Sequence, residues 1–186
     1  MTFWNEATKD SEPKRNFRFL VELQGLDDTV IWYAKSVVLP SYNITNVAHS
    51  FLDNEYYYPG RIQWQESSMV LVDPVTRNAT TRTNAMIVES GYKIPGQVPG
   101  SDTEAAKTIS KSQMKAALGG VIISVLDSEG TIVEKWELKN PILTSAKFGN
   151  LDYSNDELKQ VELAFRYDWA TCADINGNEQ FAPTTT

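Results

Sequence analysis

Lys159-Gln160-Val161-Glu162-Leu163-Ala164-Phe165-Arg166-Tyr167-Asp168-Trp169 alternates without a break. Val161, Leu163, Phe165, Tyr167 and Trp169 fall on one side, and Gln160, Glu162, Ala164, Arg166 and Asp168 on the other. Successive side chains of a strand point to opposite faces, so the stretch predicts one long β-strand with an apolar and a polar face. A strand of that kind belongs to a sheet packed on a core and wetted outside, most often antiparallel. No catalytic constellation accompanies it, and the chain reads as the maker of a shaped wall.

Working backwards, Gly120 to Leu126 and Thr131 to Leu138 are two strands joined by the turn Asp127-Ser128-Glu129-Gly130. Asn140-Pro141 breaks that ladder, residues 142–151 continue extended, and Asn155-Asp156 turns into the closing strand. Asn16 to Leu23 alternates, and Asp27-Asp28 is read as the turn of a hairpin with a second strand from Thr29 to Leu39. Arg61 to Trp64 and Ser68 to Val72 are further strands. The continuous apolar run Met69-Val70-Leu71-Val72 suits burial on both faces. Asp73-Pro74 reads as N-cap and first turn of a helix running to about Ser90. Residues 92–118 read as a long loop with a weak helical period, and 171–186 as a polar tail expected to be mobile or ordered only against a neighbour. The expectation is therefore a mainly β protein, an antiparallel β-barrel or two packed sheets, with one flanking α-helix near 74–90 and extended loops. All 186 residues form one domain, with an arm at 1–15, a core at 16–170 and a tail at 171–186.

Residues 41–60 stand apart. Tyr42, Ile44 and Val47 alternate weakly, Asp53-Asn54 turns, and Tyr56-Tyr57-Tyr58 is stopped by Pro59-Gly60. This is an extended β-arm with too little apolar surface for a core. Aromatics beside Arg61 could stack on single-stranded bases, or they could be contacts between subunits, where tyrosine is enriched. The acidic balance, net −7 with a pI near 4.8, favours the protein contact. Trp4, Tyr42, Ile44, His49, Tyr56, Tyr57, Tyr58 and Arg61 are the candidate contact residues. Trp32, Trp64, Trp136 and Trp169 fall in strands and read as packing residues.

The chemistry-bearing side chains are few. His49 is the single histidine and Cys172 the single cysteine, too few for a zinc site; a Ser-His-Asp triad could use His49, but it lies in the polar arm with no Gly-x-Ser-x-Gly elbow in the chain, so an exposed or interfacial histidine is the favoured reading. Asp152, Asp156 and Glu157 lack the calcium-loop spacing and read as a solvated turn, and no glycine loop opens a helix to cradle phosphate. No catalytic, metal or cofactor site is expected, and no enzyme activity. The first residues lack a basic region followed by an apolar run, and no stretch is apolar for long enough to span a bilayer, so assembly in a cytoplasm is expected.

The order of elements resembles the tail tube protein of contractile-tailed bacteriophages. The likeness rests on Asn16-Phe17-Arg18-Phe19-Leu20-Val21-Glu22-Leu23, on Ala34-Lys35-Ser36-Val37-Val38-Leu39-Pro40, and on Gln63 to Asp73 running into the helix. It rests also on Trp136-Glu137-Leu138-Lys139-Asn140-Pro141-Ile142 and on Phe148-Gly149-Asn150-Leu151-Asp152-Tyr153 before the closing strand. The resemblance implies a virion protein: six copies per ring, rings stacked as the inner tube of a contractile tail, and a conduit for genomic DNA that passes without specific binding. It implies sheath, baseplate and tail-terminator proteins as partners, and a fold shared with type VI secretion tubes. With six acidic copies per ring, an acidic lumen that lets phosphates slide becomes a hypothesis. The alternatives are the tube of a phage-derived injection particle, a baseplate tube initiator, and a monomeric ligand-binding β-barrel with an apolar cavity.

Overall fold

The computed structural model describes residues 13–26, 34–76, 78–93 and 108–183. In chain order the strands are β1 (Phe19–Leu23), β2 (Ala34–Val37), β3 (Tyr42–Phe51), β4 (Asn54–Trp64) and β5 (Ser67–Val72). Helices α1 (Ala79–Glu89) and α2 (Lys111–Leu118) follow. Then come β6 (Val121–Leu126), β7 (Ile132–Lys139), β8 (Ile142–Lys147), β9 (Gln160–Arg166), β10 (Trp169–Asp174) and β11 (Glu179–Gln180). One sheet has the order β1-β6-β7-β10-β11 and a second β2-β5-β9-β8, while β3 and β4 pair only with each other. All pairs are antiparallel.

The alternation of the closing stretch is what joins the two sheets. Val161, Leu163 and Phe165 of β9 are fully buried with Met69 and Leu71 of β5. They meet Val21 and Leu23 of β1, Val121 and Ile123 of β6, and Leu138 of β7 in one cluster. Helix α1 adds Ala79 and Met86 to that cluster, and α2 adds Leu118. The result is two packed sheets, and no closed barrel forms among the described residues.

Several expectations are corrected by this register. Lys159 to Trp169 is not one strand: β9 ends at Arg166 in the second sheet and β10 begins at Trp169 in the first. Tyr167 keeps the inward parity, but the crossing shifts it by one, so Ala170 rather than Trp169 is the next fully buried residue. β1 pairs with β6 and β2 with β5, so the expected hairpin between them is not made; its turn lies outside the described residues. Pairing with a distant strand wins because it turns Val21 and Leu23 onto the shared core. The polar tail is ordered structure to residue 183, with β10 turning on Asp174, whose Oδ1 accepts from the backbone N–H of Asn176 and Asn178 at 2.9 Å each.

The flanking helix is shorter than read, and it has company. It starts at Ala79, not Pro74, capped by Asn78, whose side chain accepts from the Thr81 N–H at 2.8 Å. Asp73 still serves the helix from a distance: its Oδ1 accepts from the Ala79 N–H at 2.8 Å and its Oδ2 from the Thr80 hydroxyl at 2.7 Å. The Lys159 ammonium closes the network on Oδ2 at 2.7 Å. Within the stretch read as loop, Ser110 caps α2, which buries Met114 and Leu118 and ends at Gly119 with φ 66°. Eight residues are too few for a convincing period in sequence, and packing decides them.

Burial alone would raise the Asp73 carboxyl, but the Lys159 ammonium and the donors of Thr80 and Ala79 outweigh it and hold it below the usual carboxylate range. A depressed folded value means stability that is complete above about pH 4 and is lost as pH falls through the lower folded value. Thermal melts across pH 2–7 should show this acid loss in the parent and a flatter profile in Asp73→Asn, which keeps the Oδ1 acceptor but not the charge. Asp73→Ala removes both and should cost about 1–2 kcal/mol in denaturant unfolding, since the donors at the helix start lose their acceptor.

Candidate self-assembly interface

The hairpin β3–β4 is an extension of the second sheet. Beyond the β2–β5 ladder, the Val38 N–H donates to Ser68 O at 2.8 Å and the Gln65 N–H to Ser41 O at 2.8 Å, leading into the Tyr42–Trp64 pair. The Ser67 hydroxyl ties the step with a bond to Val38 O at 2.6 Å. At this base Trp64 lies edge-on to Tyr42, with centroids 5.2 Å apart, and to Phe181 of the returning C-terminal segment, at 5.5 Å. Tyr167 of the crossing lies 5.9 Å from Trp64 on another side. An aromatic clasp from four parts of the chain therefore fixes the direction in which the hairpin leaves the body.

Every residue from Tyr42 to Gln63 is exposed, the turn pair included. Cross-strand partners share a face, so Ile44 stands beside Ile62 and Ala48 beside Tyr57 on one side. Val47 with Tyr58, His49 with Tyr56, and Phe51 occupy the other. Both faces are wet and both carry large apolar side chains. A two-stranded ribbon with nothing on either face is marginal in water, and an apolar surface of this extent marks an interaction site.

Pro59-Gly60 does not stop the strand, as the sequence suggested. A bulge between Ile44 and Asn46 absorbs the proline on an edge where no ladder donor is required. Thr45 fills the gap: its hydroxyl accepts from the Arg61 N–H at 2.9 Å and donates to Arg61 O at 3.2 Å. Glycine is required here, because a Cβ on Gly60 would sit 2.3 Å from the Thr45 Oγ. The turn is Leu52-Asp53, and Leu52 adopts φ 53°, a left-handed conformation that favours Gly or Asn, while 86% exposed. The Tyr57 hydroxyl bonds to Glu55 at 2.7 Å, which raises its pKa.

Seven of the eight sequence-predicted contact residues, Tyr42, Ile44, His49, Tyr56, Tyr57, Tyr58 and Arg61, lie on this hairpin; Trp4 lies outside the described residues. Tyr42 belongs to the basal clasp, and the Arg61 backbone belongs to the bulge. Phe51, Leu52 and Ile62 share the exposure of these residues on the same hairpin but are not among the sequence candidates. Phe51 was legible from the Val47-His49-Phe51 alternation, whereas the exposure of Leu52 follows only from the turn geometry. Elsewhere the single cysteine, Cys172, is half-buried beside Trp136, and burial and the Glu134 charge push its thiol up. That is the opposite of nucleophile activation. Among the described residues no group of three or more His, Cys, Asp or Glu side chains could hold a metal. No described helix is long and apolar enough to cross a membrane.

No protein-family model and no curated protein sequence matches the chain. Solved structures do. A chain of the anti-feeding prophage tube-terminating cap superposes with TM-score 0.60 at 18% identity, covering 88% of this chain and 93% of that one. A chain of an extracellular contractile injection system, the PVC sheath-tube complex in its extended state, matches with TM-score 0.58 at 16% identity, covering 92% and 98%. A chain of the anti-feeding prophage baseplate matches with TM-score 0.58 at 11% identity, covering 89% and 98%. The fold is that of chains in these assemblies.

Changing exposed residues should leave the body untouched. Tyr56→Ser with Tyr58→Ser should shift the denaturant midpoint of the subunit by no more than about 0.5 kcal/mol in stability. Gly60→Ala should instead disorder the bulge, read as faster amide exchange at Thr45 and Arg61 with the β6–β7 amides unchanged.

Proposed function

We propose that the chain is a structural subunit that self-assembles into the tube of a contractile apparatus and has no enzyme activity. The observation that carries this is the long hairpin, rigidly clasped at its base and apolar on both wet faces. Its stability makes sense when a neighbour covers it. The similar solved structures, all contractile assemblies, support the reading.

The second sheet supports the ring form of this reading. Its edges, β2 and β8, have no partner beyond them among the described residues, and edges of this kind invite pairing with another copy. Six copies closing edge to edge would make one continuous wall, and stacked rings would make the tube, with sheath, baseplate and terminator proteins as partners. The solvent face of that sheet carries Ser68, Ala164, Ser145, Lys147 and Glu162, with Lys147 paired to Glu162 at 3.1 Å. The same face carries Gln160 and Arg166, so if it lines the bore its charges are mixed and the wall is low-grip rather than acidic. Genomic DNA of a contractile-tailed phage would pass it without specific binding, with the particle assembled in a host cytoplasm. The alternative, the tube of a phage-derived injection particle, is favoured by the anti-feeding prophage and PVC matches. A monomeric ligand-binding barrel is disfavoured, because Leu71, Ile123, Val161 and Leu163 fill the space between the sheets.

Removal of residues 43–63, with Tyr42 and Trp64 joined by a short turn, tests the proposal. The variant should fold, with a melt within a few degrees of the parent, yet form no stacks under negative stain on a baseplate template where the parent makes long tubes. Long tubes from the variant would remove the hairpin from the interface. Assembled tubes should bind double-stranded DNA too weakly to measure at physiological salt; strong, salt-dependent binding would contradict the low-grip wall.

A further inference from the structure

The two sheets part between β1 and β2, each at the edge of its own sheet. The gap is a groove of about 400 Å³. Its floor is apolar, with Phe19 of β1, Val37 of β2 and Ile123 of β6. Its rim is cationic: Lys14, Arg15, Arg18 and Lys35 all line it, in a chain whose net charge is −7. Glu134 is the one acid among the described residues of the lining, and it is paired with Lys14. Arg18 lies over Phe17, 5.4 Å from the ring centroid. Four cations around an apolar floor in an acidic protein call for an occupant that is both apolar and anionic.

The hairpin tip has that chemistry. Phe51 and Leu52 are 60% and 86% exposed, and Asp53 and Glu55 flank them. Leu52 holds a left-handed φ of 53° that a glycine would adopt without cost. A turn that keeps a strained, exposed leucine where glycine would relax it retains the side chain for contact. The tip stands at the far end of a 10-residue strand, about 33 Å from its base at ~3.3 Å per residue. It is thus well placed to reach another molecule.

We propose that the groove between β1 and β2 receives the hairpin tip of a second copy, with Phe51 and Leu52 on the apolar floor and Asp53 and Glu55 against the rim. The contact is heterologous: each copy gives a tip and offers a groove, so it propagates from copy to copy rather than closing a pair. The inference rests on the tube-subunit reading and names the surface that meets the hairpin.

The test is a charge swap in the full chain. D53K/E55K alters the tip and R15E/K35E the groove, sparing Lys14 and Arg18, which are engaged in the subunit. Each pair of substitutions alone should raise the protein concentration needed for tube growth at least tenfold, with an unchanged melt. The chain carrying all four should recover growth, because the complementarity is restored with the signs exchanged. L52G is the second variant; it relieves the turn without touching charge, and should melt no lower than the parent while growing tubes poorly. Tubes from either charge pair at the parent's concentration, or no recovery in the fourfold variant, overturns the groove assignment. A parent that never polymerises on any template overturns the tube reading itself.

Discussion

Everything in this molecule depends on the two sheets presenting their inner faces to one core, and two of the chain's passages between the sheets are short crossings that meet. One runs from β7 to β8 at Asn140-Pro141, where Asn140 takes φ 54°; the other runs from β9 to β10 at Tyr167-Asp168. Asp168 fastens them together. Its N–H donates to Lys139 O at 3.0 Å, and its carboxylate accepts from the Asn140 amide at 2.8 Å and from the Lys111 ammonium of α2 at 2.6 Å. Lys111 and Asn140 hold that carboxyl below its ordinary range. The pair with Lys111 is largely solvent-exposed and contributes little energy alone. Its effect is geometric: it fixes where each strand leaves one sheet and enters the other, and so which residues face inward.

The hairpin inherits its direction from the same constraint. Tyr167 is part of the crossing and also packs on Trp64 at the hairpin base. Phe181 reaches that base because β10, once across, continues to the β11 turn. A ribbon of two strands would otherwise swing freely. Continuity with the β2–β5 ladder and a clasp of four aromatic rings convert it into a rod with a fixed bearing. A preset bearing lowers the entropy that an assembly contact must overcome.

Local pattern was a good guide where strand partners are neighbours in sequence. The β6–β7 hairpin was legible because Asp127 is a turn residue that accepts from the Glu129 and Thr131 N–H groups at 2.8 Å each. The β-arm at 41–60 was legible from its lack of core residues, and it forms the exposed hairpin β3–β4. Pattern misled where a tertiary partner decided the outcome. Lys159 to Trp169 alternates perfectly as text, yet alternation cannot say which sheet a residue belongs to. Pro59-Gly60 looked like a stop because nothing in sequence announces that Thr45, fourteen residues earlier than Pro59, would supply the missing bonds. Helix α2 left only a weak period in the sequence because its stability comes from Leu118 meeting a core that the segment itself does not contain.

Charge placement explains how one acidic chain can both repel and attract its copies. Self-repulsion from a net −7 keeps subunits apart in solution. Attraction must then be local, within a Debye length of about 8 Å at physiological salt, and it must join opposite signs on different parts of the surface. The cationic residues at Lys14, Arg15, Arg18 and Lys35 gather beside one apolar groove, and the hairpin tip has the complementary acids. A chain arranged in this way resists random association, because most encounters bring like charges together, and rewards the one orientation that seats tip in groove. The apolar floor then holds what the charges have guided, since the hydrophobic contribution is not screened by salt.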